Sequence, residues 1–325
     1  RPRVKDLLLT PKNALRLTRQ LAEMRGAAMK LGQILSMDTG DLLPGELADI
    51  LATLRNAAYA MPDAQLQEVL AQELGPDYEK KLKHFEQRPF AAASIGQVHK
   101  LSTRQGQPAV LKVQYPGVRE SIDSDVDNLA SLLRVSGLLP KHMDMTPLLA
   151  EAKSQLHEEA DYEQEARYLK AFVRALGEDE RFLLPRVIPH LSASRVLGMT
   201  FVPGVPIEDV AFEKAEERNR VAALLFELLM IELFELRLVQ TDPNFANYQY
   251  NRDTGQIVLL DFGASRRFSA ALVRGYRDLL AGAVNGDREA MIKAAEAVGY
   301  QLGPEGSLYQ ETLLELAEIG LVPLT

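Results

Sequence analysis

The first 84 positions of the chain carry apolar residues at helical spacing. One predicted helix has an apolar stripe at intervals of three and four, formed by Leu17, Leu21, Met24, Ala28, Leu31 and Leu35. Lys30 and Gln33 lie three positions apart on a different face of that helix. A later helix begins near Pro62 and Asp63 and ends at Gly75. We therefore predict an N-terminal helical extension over residues 1–84.

The pattern changes near Phe85, where short β-rich runs separated by turn residues begin. Strands are predicted from Phe90 onward and over 95–101, 109–113, 187–189 and 195–199. Between the third and fourth strands, helical periodicity extends over residues 118–176, with a break near Gly137. Residues 85–202 therefore predict a small sheet with a helical insertion.

The remaining residues, 203–325, follow a junction at Pro203-Gly204 and are mainly helical. The exception is a short strand pair around residues 257–260. The most apolar stretch covers residues 221–240, but four charged residues interrupt it: Glu227, Glu232, Glu235 and Arg237. Because charges inside a membrane span are costly, this stretch predicts a core helix. The order of these elements predicts an α+β fold with two lobes, as in protein kinases: strands come first, then a helical insertion, further strands and a helical half.

Composition narrows the possible chemistry. The chain has 325 residues, a formal net charge of −8 and no cysteine. An acidic chain is poorly suited to bind nucleic acid through bulk charge, so no nucleic-acid partner is expected. The lack of cysteine excludes disulfides, thiolate metal sites and thiol nucleophiles. Carboxylates and lysines remain as the candidate reactive groups.

Three elements in the second half of the chain suggest phosphoryl-transfer chemistry. Asp261-Phe262-Gly263 follows the apolar run of residues 257–260, which places a carboxylate at a strand end where it can bind a divalent metal. Asp242 and Asn247 lie five positions apart, upstream of Asp261. A kinase catalytic loop separates its base and its metal-binding asparagine by the same distance. Asp242 is therefore the candidate base, and Asn247 and Asp261 are the candidate metal ligands.

The first lobe supplies a candidate phosphate-binding residue. Lys112 is the only charged residue of the predicted strand 109–113, where it provides a point charge for the phosphates of ATP; it could instead lie at a strand edge with its charge in solvent. The loop that should cover the phosphates is not rich in glycine: residues 91–94 are Ala91, Ala92, Ala93 and Ser94. Alanine restricts the backbone, which should hinder close wrapping around a triphosphate.

Taken together, these residues resemble the UbiB family of atypical kinases. The resemblance depends on Lys30-Leu31-Gly32-Gln33, the Ala91–Ser94 loop, Lys112, Glu159-Ala160-Asp161, Gln240-Thr241-Asp242-Pro243 and Asp261-Phe262-Gly263. It covers residues 15–300 and is greatest for the coenzyme Q branch, of mitochondrial type with its bacterial relatives. It implies a kinase-like fold that binds ATP or ADP with Mg²⁺, and an extension that folds over the cleft through the Lys30 and Gln33 motif.

The resemblance also implies roles for residues that pattern alone leaves ambiguous. Lys112 is expected to pair with Glu165. Asp161 and Glu165 are four apart, so on one helix they would share a face towards the cleft. Glu159 does not share that face; either the helix frays there or Glu159 contacts another residue, for which Lys30 is the candidate. The segment from Met199 to Phe201 corresponds to the hinge that binds adenine through its backbone.

Three functions remain open from the sequence. The first is an ATPase or small-molecule kinase that supports coenzyme Q (ubiquinone) biosynthesis at a membrane, where membrane lipids, isoprenoid-phenol intermediates and other proteins of the pathway are the expected partners. The second is a nucleotide-sensing scaffold or a lipid-extracting factor, favoured by the alanine loop. The third is an ordinary kinase. A location in the bacterial cytoplasm, at the inner membrane, is expected, with the mitochondrial matrix as the alternative.

Overall fold

The computed structural model describes Gly26, Ala27, Lys30 and residues 60–136, 145–242, 244–304 and 306–320. Gln33, most of the predicted extension and the predicted helix break near Gly137 therefore lie outside the described residues.

The helices and strands follow in chain order. The α-helices are α1 (Asp63–Leu74), α2 (Val118–Ser136), α3 (Thr146–Glu159), α4 (Tyr162–Leu176), α5 (Ala215–Met230), α6 (Ala270–Val284), α7 (Arg288–Ala297) and α8 (Leu308–Gly320). The strands are β1 (Leu82–Phe85), β2 (Ala91–Ala92), β3 (Gly96–Thr103), β4 (Pro108–Gln114), β5 (Phe182–Leu183), β6 (Val196–Thr200), β7 (Val205–Pro206), β8 (Leu238–Gln240), β9 (Tyr248–Asn251), β10 (Gln256–Leu259) and β11 (Ser265–Arg267).

The chain divides into two compact units. Unit 1 holds the described residues up to Glu178, together with Leu183–Pro203 and Asp261–Ala264. Unit 2 holds Asp179–Phe182, Gly204–Leu260 and the described residues from Ser265 onward.

Unit 1 is built on an antiparallel sheet in the order β1-β3-β4-β6, with β2 paired to β3. Side chains alternate along β4, so Leu111 and Val113 face the core while Lys112 lies on the opposite face. Helix α1 packs against the core side of this sheet through Leu66 and Leu70. The sequence pattern places this helix in the N-terminal extension, and its apolar face contributes to the same core as β4.

One strand predicted for unit 1 is wrong. Residues 187–189 do not form a strand: Val187 makes one isolated bridge to Met199, and a 3₁₀ turn begins at Pro189, which lacks an N–H for a sheet ladder. The helical periodicity predicted up to Leu176 is interrupted between Glu159, where α3 ends, and Tyr162, where α4 begins; an end of the helix near Glu159 was one of the two alternatives that the sequence left open.

Unit 2 combines helices with two small sheets. Strands β9 and β10 form a hairpin, and β7 pairs with β9 on its other side. Helix α5 continues into a π-helical segment, Ile231–Leu236, which ends at Arg237 in the left-handed conformation, with φ 51°. Strand β8 follows and pairs with β11. None of the helices within the described ranges is both long enough and apolar enough to cross a bilayer.

Candidate active site

Three charged residues meet in unit 1. The ammonium of Lys112, on β4, lies 2.9 Å from both carboxylate oxygens of Glu165, in the first turn of α4. Its distance to Asp261 Oδ2 is 3.4 Å. The Glu165 side chain is 1% exposed and that of Asp261 is 36% exposed. The cluster thus joins a rigid strand to a helix and leaves one carboxylate facing solvent.

The electrostatics of this cluster favour a charged lysine. Burial alone would lower the pKa of Lys112, but the carboxylates of Asp261 and Glu165 hold it well above its usual range. Burial raises the pKa of Glu165, against the opposing effect of Lys112. For Asp261, burial is outweighed by Lys112 and by the Gly263 N–H, so its pKa lies below the usual value. Asp261 is therefore an anion at neutral pH and is suited to bind a cation.

The residues after Asp261 hold its carboxylate in place. The Gly263 N–H donates to Asp261 Oδ1 at 2.8 Å. Phe262 is 1% exposed, and its ring lies 5.1 Å from that of Phe172 on α4. The Phe262 N–H also donates to the Glu165 carboxylate. Asp261 is thereby held against the helix that carries Glu165.

The alanine-rich loop forms a short hairpin. Ala91 and Ala92 pair with Val98 and Gln97 on β3, and the Ala93 N–H donates to the Gly96 carbonyl at 2.9 Å. A β-carbon at Gly96 would lie 2.3 Å from the Val113 carbonyl oxygen, so no larger residue fits there. The start of β3, which follows the loop, is therefore packed closely onto β4, the strand that carries Lys112.

Ser94, at the turn of this hairpin, connects it to a second ion pair. Its hydroxyl donates to Glu159 Oε2, and Glu159 Oε1 lies 2.8 Å from the Lys30 ammonium. Lys30 is 3% exposed and Glu159 is 16% exposed. Lys30 also lowers the pKa of Asp261 through its charge, after the larger effects of burial and of Lys112. Lys30 thus lies close enough to Asp261 for its charge to act on the cluster that contains Lys112.

Asp161 has a different local position from the one expected. It precedes α4 as the N-cap residue, and its side chain accepts the Gln164 N–H at 2.8 Å. The expectation that Asp161 and Glu165 share a helix face is therefore wrong, because the helix begins at Tyr162. The carboxylate of Asp161 stabilises the start of the helix that presents Glu165.

Tyr162 is a residue of this site that the sequence pattern does not indicate. Its ring lies 5.2 Å from the Lys112 ammonium, and its hydroxyl has no hydrogen-bond partner within the described residues. Burial raises its pKa. Its position directly after the Glu159-Ala160-Asp161 triplet was the available signal, but nothing in the spacing distinguishes it from an ordinary core tyrosine.

The candidate hinge residues lie at the end of β6. Met199 pairs with Val110 of β4 and is 6% exposed. The Phe201 N–H donates to the Pro108 carbonyl at 3.0 Å, so this backbone donor is already used inside the unit. The Phe201 ring packs edge-on against Phe90.

The candidate catalytic loop belongs to unit 2. The Asp242 carbonyl accepts hydrogen bonds from the Asn247 side-chain amide at 3.0 Å and from the Asn244 N–H at 2.7 Å. The Asn247 carbonyl accepts the Leu260 N–H at 3.1 Å. Asp242 and Asn247 are therefore held in one compact loop, next to the strand that leads to Asp261.

Comparison with known proteins identifies the family. Residues 53–295 match the ABC1 atypical kinase-like domain. The chain is 41% identical to the mitochondrial atypical kinase COQ8 of Saccharomyces cerevisiae and 38% identical to mitochondrial COQ8B of Rattus norvegicus. The matches cover 94% and 96% of this chain but 61% and 59% of those relatives, so the chain spans about three-fifths of their length.

A solved structure is also similar to this chain. Rv3197 from Mycobacterium tuberculosis, determined in complex with erythromycin, is 28% identical, with a TM-score of 0.64 over 94% of this chain and 79% of that one. The expected α+β kinase-like fold and the expected family are both confirmed. The chain belongs to the ABC1 (UbiB) family of atypical kinase-like proteins.

Proposed function

We propose that this chain is an atypical kinase that binds Mg²⁺ with ATP and acts in coenzyme Q biosynthesis, by hydrolysing ATP or by phosphorylating a small molecule. The observation that carries the proposal is the placement of Lys112 between Glu165 and Asp261. A lysine held on a strand by a helix glutamate is the arrangement that orients nucleotide phosphates in kinases. The naming of the yeast and rat relatives as COQ8 kinases supports the choice of pathway.

The residues present fit a magnesium ion bound together with nucleotide. Within the described residues, no three His, Asp or Glu side chains gather into a metal cluster. Mg²⁺ in kinases is held by one or two protein ligands and by phosphate oxygens, so a full protein cage is not required. Asp261, anionic and 36% exposed, would hold the ion. Asn247 is the second ligand that the spacing of the catalytic loop predicts. Bound Mg²⁺ would neutralise charge that develops on the transferred phosphoryl group.

The residues of the chain itself would have distinct tasks. Lys112 would orient the phosphates, and Glu165 would hold Lys112. Asp242 would accept a proton from the attacking water or hydroxyl, or would orient that group. Lys30 and Glu159 would fasten the N-terminal segment near the nucleotide, and with Gln33 would restrict access of protein substrates.

The second candidate function is a nucleotide-dependent scaffold or lipid-extracting factor with weak catalysis. It is favoured by the alanine hairpin, in which Ala93 and Ser94 are fixed by hydrogen bonds to Gly96 and Glu159. A loop with its backbone paired in this way is less free to close over a triphosphate than a glycine-rich loop.

One assay separates the two functions. ATP turnover is measured with and without anionic liposomes and a phenolic analogue of a coenzyme Q precursor. An enzyme should turn over ATP steadily, faster with these additions, and the Asp242→Asn variant should lose at least tenfold in kcat. Nucleotide binding with no turnover under any condition would contradict the first function and favour the scaffold.

A further inference from the structure

Glu232 is a buried carboxylate outside the proposed phosphate site. It lies in the π-helical segment after α5, and its side chain is 3% exposed. Glu232 Oε2 accepts the Gln240 N–H at 3.0 Å. Burial raises the pKa of Glu232 to about 7, against the opposing effect of that hydrogen bond. Burial of a carboxylate lowers the free energy of unfolding, and an apolar residue of similar size would pack at this position more easily.

The hydrogen bonds of Gln240 lead from Glu232 to the candidate base. Gln240 Oε1 accepts the Asp242 N–H at 2.5 Å. The Asp242 carbonyl in turn accepts from the Asn247 side chain at 3.0 Å. Glu232, Gln240, Asp242 and Asn247 thus form a continuous chain of contacts inside unit 2.

Two further observations show how tightly this region is built. The pKa of Tyr248 is raised by burial and then by the charges of Glu232 and Asp242, so both acids lie close to that one ring. Gln240 is 8% exposed and is fixed from the other side by pairing with Ser265 of β11. The backbone at Gln240 therefore has little freedom as long as its N–H is held by Glu232.

We propose that Glu232 and Gln240 are positioning residues for the Asp242–Asn247 loop: Glu232 fixes the backbone of Gln240, and the Gln240 side chain fixes the backbone of Asp242. The role depends on the proposed function only in that Asp242 is assigned as the base. Neither residue would touch substrate. Both act through the position of Asp242.

The test combines hydrogen exchange with ATP turnover. Deuterium uptake of the peptide covering residues 238–247 is followed in the wild type, Glu232→Leu and Glu232→Gln. Glu232→Leu removes the acceptor for the Gln240 N–H, so the peptide should exchange at least tenfold faster, and kcat should fall at least tenfold while KM for ATP changes less than threefold. Glu232→Gln retains an acceptor oxygen and should recover most of both losses.

Two further variants distinguish loss of these contacts from a general folding defect. Glu235→Leu changes an exposed acid in the same segment and should behave as the wild type in both measurements. Gln240→Met keeps the backbone N–H but removes the acceptor for Asp242, and should lower kcat with native-like melting. It keeps the proposal testable if Glu232→Leu does not fold.

The outcomes distinguish the positioning role of Glu232 and Gln240 from the proposed function. Wild-type exchange in Glu232→Leu, or equal defects in Glu232→Gln and Glu232→Leu, would overturn the positioning role. Wild-type kcat in Gln240→Met would also overturn it. If the wild type itself turned over no ATP, the proposed function would fail, while the exchange measurement would still decide whether Glu232 holds the loop.

Discussion

The Lys112 ammonium lies 2.9 Å from both carboxylate oxygens of Glu165, a residue 53 positions later in the chain. This bidentate contact joins β4 to α4, and neither side chain is exposed enough for water to replace its partner. A buried pair of this kind is costly to break from one side, because the remaining charge has no equal compensation.

A double-mutant cycle should measure this coupling. Lys112→Met leaves Glu165 buried beside Asp261 and should lower the free energy of unfolding by about 3 kcal/mol. Glu165→Gln should destabilise less, since Lys112 keeps Asp261 as a partner. The double variant should be more stable than the sum of the single losses predicts, by at least about 1 kcal/mol. Urea denaturation checks this, and strict additivity would show that the two residues do not interact in solution.

Asp261 should determine the metal dependence of nucleotide binding. Asp261→Asn removes the charge that would attract Mg²⁺ and should weaken binding of ATP with Mg²⁺ at least tenfold, while binding of ATP without metal changes little. Isothermal titration in the presence and absence of Mg²⁺ makes the comparison. Asp253→Asn, an exposed aspartate in the β9–β10 turn, is the matched control and should bind as the wild type does. An equal loss with and without metal would argue against Asp261 as a ligand.

The alanine hairpin should limit triphosphate binding. Ala93→Gly widens the conformational range at a residue whose N–H now pairs with Gly96. We expect tighter ATP binding, self-phosphorylation, or both, seen by titration and by incorporation of labelled phosphate. Ala109→Gly is a useful comparison, because it makes the same change at a buried position within β4. Behaviour identical to the wild type in Ala93→Gly would refute the restrictive role of the loop.

Glu232 should make stability depend on pH in a defined direction. Its pKa rises from an ordinary 4.5 to about 7 in the folded protein. Below pH 4.5 the side chain is protonated whether the chain is folded or unfolded, so it has no effect. Between pH 4.5 and 7 the unfolded chain releases the proton first, so stability falls as pH rises. Above pH 7 the free energy of unfolding is lower by the full amount, about 3 kcal/mol.

Glu232→Gln removes this dependence, because glutamine does not titrate. The unfolding free energy of the variant minus that of the wild type should therefore be about 2–3 kcal/mol larger at pH 8 than at pH 5. Groups that titrate in both proteins cancel in this difference. A difference that does not change with pH would show that Glu232 has an ordinary pKa in the folded protein.

The sequence was informative where a motif has a fixed order along the chain. Lys112, Asp242, Asn247 and Asp261 could be named because strand-lysine, loop and strand-end aspartate follow one another as in kinases. The family resemblance added Glu165 and Glu159, whose partners across the fold no local pattern reveals. The roles of all six remain predictions for experiment.

The residues that were missed act through long-range packing. Glu232 was noted only as a charge that interrupts an apolar stretch, and nothing local showed that it would be buried against Gln240. Strands β8 and β11 are three residues each and pair across a long separation, so neither has enough alternation to be recognised. The sequence left open whether a helix ends near Glu159, and the role of Asp161 as the N-cap residue of the next helix was not recognised, although aspartate is preferred at that position.

The nucleotide site is tested most simply by the thermal stabilisation that ATP with Mg²⁺ gives to the wild type, Lys112→Met and Lys80→Met. Lys80 is an exposed lysine, with 73% of its side chain accessible, and serves as the matched control. Comparing each variant with and without nucleotide removes any change in its basal stability. We predict that the melting temperature of the wild type and of Lys80→Met rises by several degrees at millimolar ATP, and that Lys112→Met gains at most a small fraction of that rise. Equal stabilisation of all three proteins, or none in the wild type, would contradict the assignment of Lys112, Glu165 and Asp261 as the nucleotide site.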